Sequence, residues 1–311
     1  MKLMLLDTAS LYFRAFHALP TSITAPDGMP VNAVRGFLDL LGTLITRFKP
    51  SHVVACLDAD WRPAWRVELV STYKAQRVDQ TTPDRESAPE ALGPQVEILL
   101  EVLYALGVTT ASAPQYEADD VIATLATRAT QTGDRDDQVD IVTGDRDLFA
   151  LVRTRTAASP AVRVLYPVPS VAKLVVMDAA EILSRYGVPP EQYADVATLR
   201  GDPSDGLPGV AGVGEKTAVR LIGEFGSLSQ LLAASQRDDP RLRTSLASKL
   251  RQHQGYLEAA ARVVGLVRDV PLPDIDGVVP AALADRQRVI ELAERYNLVN
   301  PIRRCSKALY D

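Results

Sequence analysis

The chain has 311 residues, 47% of them hydrophobic and 23% charged, with mean hydropathy near zero. That is enough apolar material for a sizeable core and excludes a largely disordered chain. The net charge of −5 argues at first against a nucleic-acid partner, although partners meet local patches rather than totals. Two cysteines, Cys56 and Cys305, make neither a disulfide framework nor a Cys₄ zinc site. Three scattered histidines, His17, His52 and His253, make a histidine-centred triad or metal site a poor first guess. No apolar run approaches the ~20 residues that span a bilayer. Asp7 ends the first apolar stretch too early for a signal peptide, so a cytoplasmic protein without a membrane partner is expected.

In chain order, Lys2–Leu6 reads as a buried strand. Val31, Val34, Phe37, Leu38, Leu41, Leu44, Ile45 and Phe48 mark one face of a helix that Pro50 stops. Val53–Leu57 is a second apolar strand, Pro94–Leu106 a helix closed by Gly107, and Val108–Ala111 a short strand. Ala118–Thr130 is a helix with Val121, Ile122, Leu125 and Ala129 on one side. Val139–Val142 is a fourth strand, and Asp147–Val152 starts a helix. Such alternation predicts an α/β core with a mostly parallel sheet covered by helices. The stretch 61–94 breaks the pattern: it carries Arg62, Arg66, Lys74, Arg77 and Arg85 with Trp61, Trp65 and Tyr73 between them. A long stretch of this kind in a compact domain is usually functional or mobile. Beyond about residue 185 the segments read as helices: Glu191–Leu199, Lys216–Phe225, Leu228–Ala234, Leu246–Val264 and Arg286–Tyr296. The expected division is a core over 1–185 and a helical region over 186–311.

Acids follow each predicted strand. Asp7 follows the first and Asp58 the second; Glu117, Asp119 and Asp120 sit just beyond the third; Asp145 and Asp147 follow the fourth. In open α/β sheets the site lies at the carboxyl ends of the strands, so these acids should converge there. Asp202 and Asp205, in Gly-Asp-Pro-Ser-Asp-Gly, could close over the same edge. Singly, an acid at a helix start is also an ordinary cap worth ~1 kcal/mol. Repeated at four strand ends, crowded carboxylates raise their pKa values or bind cations. Oxygen ligands without His or Cys select Mg²⁺ or Mn²⁺. Removing these nine from 39 acids leaves 30 against 34 basic residues, consistent with a basic surface around a metal-filled acidic site.

Gly209-Val-Ala-Gly212-Val-Gly214-Glu-Lys216-Thr217 precedes a helical pattern. A P-loop would need Lys directly after Gly214, where Glu215 stands, and the order G-x-x-G-x-G after a turn is not the dinucleotide fingerprint. Two readings stay open: a helix–hairpin–helix whose amides meet a DNA phosphate, or a tight interhelical turn without a ligand.

With these residues in hand, the chain resembles the 5′-nuclease (flap endonuclease) family, above all the 5′-nuclease domain of bacterial DNA polymerase I and the free-standing 5′-3′ exonucleases. The stretches LLDTASLYFRAFHAL, CLDADWRPAWRVELVSTYKAQR, YEADDVIATLA, VTGDRDLFALV and LRGDPSDGLPGVAGVGEKTA carry the resemblance, in order, over about residues 3–225. It implies a PIN-like core, a helical arch over the site, here about 61–94, and a helix–three-turn–helix DNA-binding region. By position, Asp7, Asp58, Glu117 and Asp119 match a first metal group, and Asp145, Asp147, Asp202 and Asp205 a second, with Asp120 between them. Lys74 and Arg77 match arch residues that face the scissile phosphate, and their spacing of three puts them on one helical face. Arg62 and Arg66, one turn apart, could hold the same backbone. Gly209, Gly212, Gly214, Lys216 and Thr217 match the hairpin turn, which in the family can hold K⁺. Pro203 and Gly206 depart from the commoner Ser and Asn of the family turn. Trp61 and Trp65 read as anchors of the arch more than as stacking platforms, Phe16, His17 and Cys56 as structural.

The implied activity is a two-metal 5′-nuclease, a monomer that cuts DNA with a 5′ flap, a 5′ overhang or a nicked or gapped duplex. Two other classes stay open: a DNA-structure-binding module too weak in metal to cut, and a PIN-type ribonuclease on a similar core.

Overall fold

The computed structural model describes residues 1–82, 86–168 and 173–310; Arg85 lies outside them. The first strand, β1 (Lys2–Asp7), runs directly into α1 (Thr8–Ala18), and α2 (Asn32–Phe48) leads to β2 (His52–Cys56). Next come α3 (Ala64–Leu69), α4 (Gly93–Leu106), β3 (Thr109–Ala111), α5 (Ala118–Thr132) and β4 (Gln138–Val142). The sheet has six strands in the order β3-β2-β1-β4-β5-β6, where β5 is Ala161–Tyr166 and β6 is Val175–Met177. All neighbours are parallel except β5 and β6.

Because strand side chains alternate in direction, β1 feeds two cores. Met4 and Leu6, with Val53 and Ala55 of β2, face a cluster that includes Val34, Phe37, Leu41 and Leu103. Leu3 and Leu5, with Val54 and Cys56, face the opposite cluster around Val121, Ile122 and Phe149. Helices therefore cover both faces, as the continuous apolar runs of β1 and β2 require.

Two strands lie beyond the four expected. In β5, Arg163 interrupts the apolar alternation of Val162 and Val164. It is matched on β4 by its register partner Asp140, which accepts from Arg163 Nε at 2.8 Å and Nη2 at 2.9 Å. Three residues suffice for β6 because it adds to an existing edge. The segment after β4 is also tighter than expected, a 3₁₀ turn over Asp147–Leu151.

The helical region contains α6 (Ala179–Tyr186), α7 (Tyr193–Arg200), α8 (Glu215–Phe225), α9 (Leu228–Gln236), α10 (Thr244–Gln252) and α11 (Gln254–Val264). The single helix expected over Leu246–Val264 is thus broken. His253 leaves helical geometry with ψ of 8°, and Gly255, a poor helix former, follows. The last helices, α12 (Arg286–Arg295) and α13 (Val299–Tyr310), do not join this region. They pack on α4 and α2, after the chain has run back along β2 with Val53 N–H donating to the Gly277 carbonyl. The division expected at 186–311 therefore fails for its C-terminal part, which completes the core of the first half. Among the described residues no helix is long and apolar enough to cross a membrane.

The link from α7 to α8 doubles back on itself. Asp202 N–H donates to the Leu207 carbonyl at 2.8 Å and Leu207 N–H to the Asp202 carbonyl at 2.9 Å. This closure brings Gly209, with φ of +63°, so close to α7 that a Cβ there would lie 2.5 Å from the Arg200 carbonyl. Gly209→Ala should therefore lower stability by about 1–3 kcal/mol, read as a reduced urea midpoint with an unchanged slope.

Candidate active site

The strand order reverses between β1 and β4: β1 connects outward to β2 and β3, β4 to β5. A crevice opens at the carboxyl end of such a pair. Asp7 ends β1 in this crevice, and Thr143 to Asp147 follow β4 on its other side. Asp7 is 4% exposed; its Oδ1 caps α1 by accepting from Ser10 N–H at 3.1 Å, and its Oδ2 accepts from the Thr143 hydroxyl at 2.6 Å. That hydroxyl also accepts from Asp145 N–H at 2.8 Å, and Asp145 Oδ1 from Asp147 N–H at 2.8 Å. Asp58, beyond β2, accepts from Ala118 N–H at 2.7 Å and so fixes the start of α5, with Glu117 just before it and Asp119 in its first turn. Acids serve as caps here and also converge, so the two readings of each local motif hold together. Glu117, Asp119, Asp145, Asp147 and Asp205 line a cavity of about 40 Å³, flanked by Lys74 and Arg77, a space suited to water or an ion.

Their proximity shows in their acidity. Burial, then the Asp58 and Asp145 charges, raise Asp7 to about 7 against hydrogen bonds from Thr143 and Ser10 that pull it down. Burial followed by Asp145 and Asp7 raises Asp119 well above the usual carboxylate range, and burial followed by Asp145 and Asp205 does the same for Asp147. A donor set made only of carboxylates, short of positive charge, fits hard divalent cations. Among the described residues no three such groups meet at one point; protein cations take part of the set instead.

Those cations come from the stretch before α4. Lys74 sits in the left-handed region with φ of +48°, which turns its ammonium onto Glu117 Oε2 and the Trp61 carbonyl. Burial works against this ammonium, and Glu117 and Asp205 outweigh it, so its pKa is raised. Arg77 Nη2 donates to Asp205 Oδ1 at 2.7 Å, and Gln76 and Arg77 donate to the Ser204 carbonyl. Lys74 and Arg77 therefore reach the site from a left-handed residue and a 3₁₀ turn, not from one helical face. Gly206, a departure from the family turn, is explained by this clasp: φ is +69° and a Cβ would lie 2.0 Å from the Thr72 carbonyl.

Three expected contacts are corrected. Arg66, expected on DNA, is 3% exposed and donates to Glu117 at 2.5 Å, to Asp120 at 2.8 Å and to the Val263 carbonyl. Asp120, expected among the metal ligands, faces Arg66 and Val267 N–H and does not line the cavity. Arg62 Nε donates to the Tyr73 carbonyl at 2.6 Å, which makes it a brace of the arch base. Trp65 anchors that base through the Gln115 carbonyl, with the Arg66 guanidinium 4.7 Å above its ring. Site roles not expected from the sequence are those of Thr143 and of Tyr73, whose hydroxyl donates to Glu117 at 2.6 Å. A hydroxyl directly before Gly144-Asp145 was the available signal for the first; nothing local marks the second.

Asp202 and Asp205 approach from the far side; Asp202 accepts from Ser204 N–H at 2.8 Å and Arg200 lies 3.8 Å away. In the glycine turn, Gly209 spends its amide on the Tyr256 hydroxyl and is buried, so it shapes the turn and does not face a ligand. Gly212, Gly214 and Lys216 are exposed, Thr217 partly so, and α8 begins at Gly214 without a side-chain cap. Lys249 of α10 places its ammonium 2.9 Å from the Ala211 carbonyl, so the turn already has a cation on one of its acceptors.

Arg66→Ala should cost about 3–5 kcal/mol of stability, because it strands Asp120 as a buried charge and leaves Glu117 with Lys74 as its one cation; denaturant unfolding measures it. The acid cluster also fixes a pH dependence. The folded chain keeps a proton on Asp7 up to about pH 7, whereas an unfolded aspartate loses it near 3.8. Between those values the folded state binds more protons, so its stability falls as pH rises. Scanning calorimetry in chelator should show a declining melting temperature from about pH 4 to about pH 7, flattened by Asp7→Asn, and Mn²⁺ should stabilise more at the upper end.

Residues 2–187 match the 5'-3' exonuclease N-terminal resolvase-like domain, and residues 188–283 the 5'-3' exonuclease C-terminal SAM fold. A 5'-3' exonuclease of Streptomyces coelicolor is 49% identical over 304 residues, 97% of this chain and 98% of that protein. DNA polymerase I of Mycobacterium tuberculosis is 41% identical over 93% of this chain but only 30% of its own length. Among solved structures, the bacteriophage T5 flap endonuclease in a pseudo-enzyme-product complex with DNA and metal ions shares the fold, with TM-score 0.64, 17% identity and coverage of 99% and 98%. Both halves of the chain and nearly the full length of a stand-alone relative are matched, and the chain belongs to the 5'-3' exonuclease family.

Proposed function

We propose that the protein is a metal-dependent, structure-specific 5′-nuclease that hydrolyses DNA phosphodiesters at 5′ ends and near the base of 5′ flaps. The observation that carries this reading is the gathering of carboxylates from separate segments at the β1–β4 crevice, with Lys74 and Arg77 closing over them. Asp7, Asp58, Glu117 and Asp119 would hold one divalent ion, Asp145, Asp147, Asp202 and Asp205 a second, Mg²⁺ or Mn²⁺ by donor type. When bound, such a pair makes water a stronger nucleophile and neutralises charge on the phosphate.

The chain's own residues do the rest. Thr143 holds Asp7 and the Asp145 backbone in fixed relation, so the two sides of the crevice cannot drift apart. Tyr73 and Arg66 hold Glu117 from behind. Lys74 and Arg77 are counter-charges of Glu117 and Asp205, and a scissile phosphate offers them a second anion at the same place. The exposed turn over Gly212–Thr217 offers uncapped amides of α8 to a duplex phosphate. A K⁺ ion held on carbonyls of this turn would share it with Lys249, whose ammonium lies 2.9 Å from the Ala211 carbonyl. The enzyme acts as a monomer in the cytoplasm, on nicked, gapped or 5′-overhanging duplexes as well as flaps.

The test is single-turnover cleavage of 5′-flap DNA beside single-stranded RNA, in Mg²⁺ and in Mn²⁺. Flap cutting without RNA cutting is expected, and preferential RNA cutting would indicate a ribonuclease. Asp147→Asn should reduce the rate by at least about 10³-fold while flap affinity in Ca²⁺ stays within about 3-fold, since the amide keeps shape and loses the ligand charge. Near wild-type turnover of Asp147→Asn in saturating Mn²⁺ would refute the second metal group.

A further inference from the structure

Val264 and Leu266, which line the carboxylate cavity, also line an open cavity of about 560 Å³ on their other side. Two arginines reach it from different elements. Arg153 follows the 3₁₀ turn after β4, and its backbone is pinned to β5 by paired bonds with Val162, both 3.1 Å. Arg268 follows α11, and its Nη2 donates to the Ala150 carbonyl at 3.3 Å. Thr154, Thr156 and Ser159 add hydroxyls to the wall.

Arg66, Arg77, Arg163 and Arg251 each have a carboxylate partner. Among the described residues Arg153 and Arg268 form no ion pair; the remaining bond of Arg153 is a long one, 3.4 Å to the Thr130 hydroxyl. Glu191 lines the same cavity, and no bond joins it to either arginine. Partial burial, then the Arg153 charge, lower the Arg268 pKa, so the two guanidinium groups act on each other as uncompensated like charges. Two arginines on one cavity wall, Arg268 exposed and Arg153 half-buried, with hydroxyls beside them are the donor set for a tetrahedral oxyanion. Aromatic side chains, which would stack on a base or fill an organic ligand pocket, are absent from the described lining.

We propose that Arg153 and Arg268 form a second phosphate site, which takes a backbone phosphodiester of the same DNA whose cleavage occurs on the other side of the Val264–Leu266 wall. It rests on the nuclease reading above and extends it: the substrate is gripped on both sides of this wall. Its occupant is a diester of the polymer because the cavity is open and adjoins the path of a substrate already held at the carboxylates.

The test uses the full-length protein in Ca²⁺, where affinity is read without cutting. Binding of a 5′-flap duplex by fluorescence anisotropy is followed over a salt series for wild type, Arg153→Gln, Arg268→Gln, the double variant and Arg286→Gln. The last is a charge change on α12, which packs on α4, equal to that of either single variant. The double variant should lose at least about 3-fold in affinity near 0.1 M salt, and its slope of log affinity against log salt should shrink by about 0.9, one phosphate contact. Arg153→Lys should restore part of the slope. Affinity and slope equal to those of Arg286→Gln, in variants with wild-type melting temperatures, would overturn the proposal. A calorimetric titration with thymidine 5′-monophosphate separates the other phosphate source: arginine-dependent sub-millimolar binding would assign the cavity to free nucleotide and also overturn it. A wild type that binds flap DNA with the expected arginine dependence but cuts no DNA would defeat the nuclease reading and leave the phosphate site standing.

Discussion

The structure turns on one electrostatic constraint: too many carboxylates share one sheet edge. Like charges a few ångströms apart in a water-poor crevice cannot all ionise without counter-charge. Hydrogen-bond donors take one part of the load, through Thr143, Ser10 and the Ala118 amide. Arg66 takes another from below, and Lys74 and Arg77 from above. What remains is carried as protons, with Asp7, Asp119 and Asp147 all raised. Divalent ions would replace those protons, which ties metal affinity, pH and stability to one cluster.

The same constraint organises the stretch between α3 and α4. Its arginines look alike in sequence and end in different states. Arg66 lies beneath the site as a fixed counter-ion, Arg62 braces the backbone, and Arg77 stays half-open at the rim. The left-handed Lys74 is the hinge of this arrangement, since an extended or helical residue there would carry its ammonium away from Glu117. Gly206 then matters for a mechanical reason: it lets the Asp202–Asp205 turn press against Thr72, so that the second acidic group approaches the first.

Much of this was legible in the sequence because strand–helix alternation and acids after strands are local patterns. The four parallel strands and the convergence of Asp7, Asp145 and Asp147 follow from them. Partners distant along the chain were not legible. Arg66 meets Asp120 across 54 residues and the Val263 carbonyl across 197, and no spacing rule announces either. Asp119 and Asp120 are adjacent in sequence, yet one lines the cavity and the other backs onto Arg66, a difference set by the helical rotation of about 100° per residue. The return of α12 and α13 to the first core was hidden for the same reason: their amphipathic faces fit any apolar neighbour.

The Val264–Leu266 wall links these arguments. It is where the chain leaves α11, and it touches the carboxylate cavity on one side and the arginine pair on the other. Arg66 holds the residue before it through the Val263 carbonyl, and Asp120 holds the residue after it through Val267 N–H. The buried ion pair beneath the site thus also fixes the segment between two oppositely charged surfaces. An acidic pocket repels a polyanion unless cations fill it, whereas an arginine pair attracts one at any metal concentration. Basic groups set beside the carboxylates, on the same rigid wall, let the polymer be held before the metals are in place and keep its register while they act.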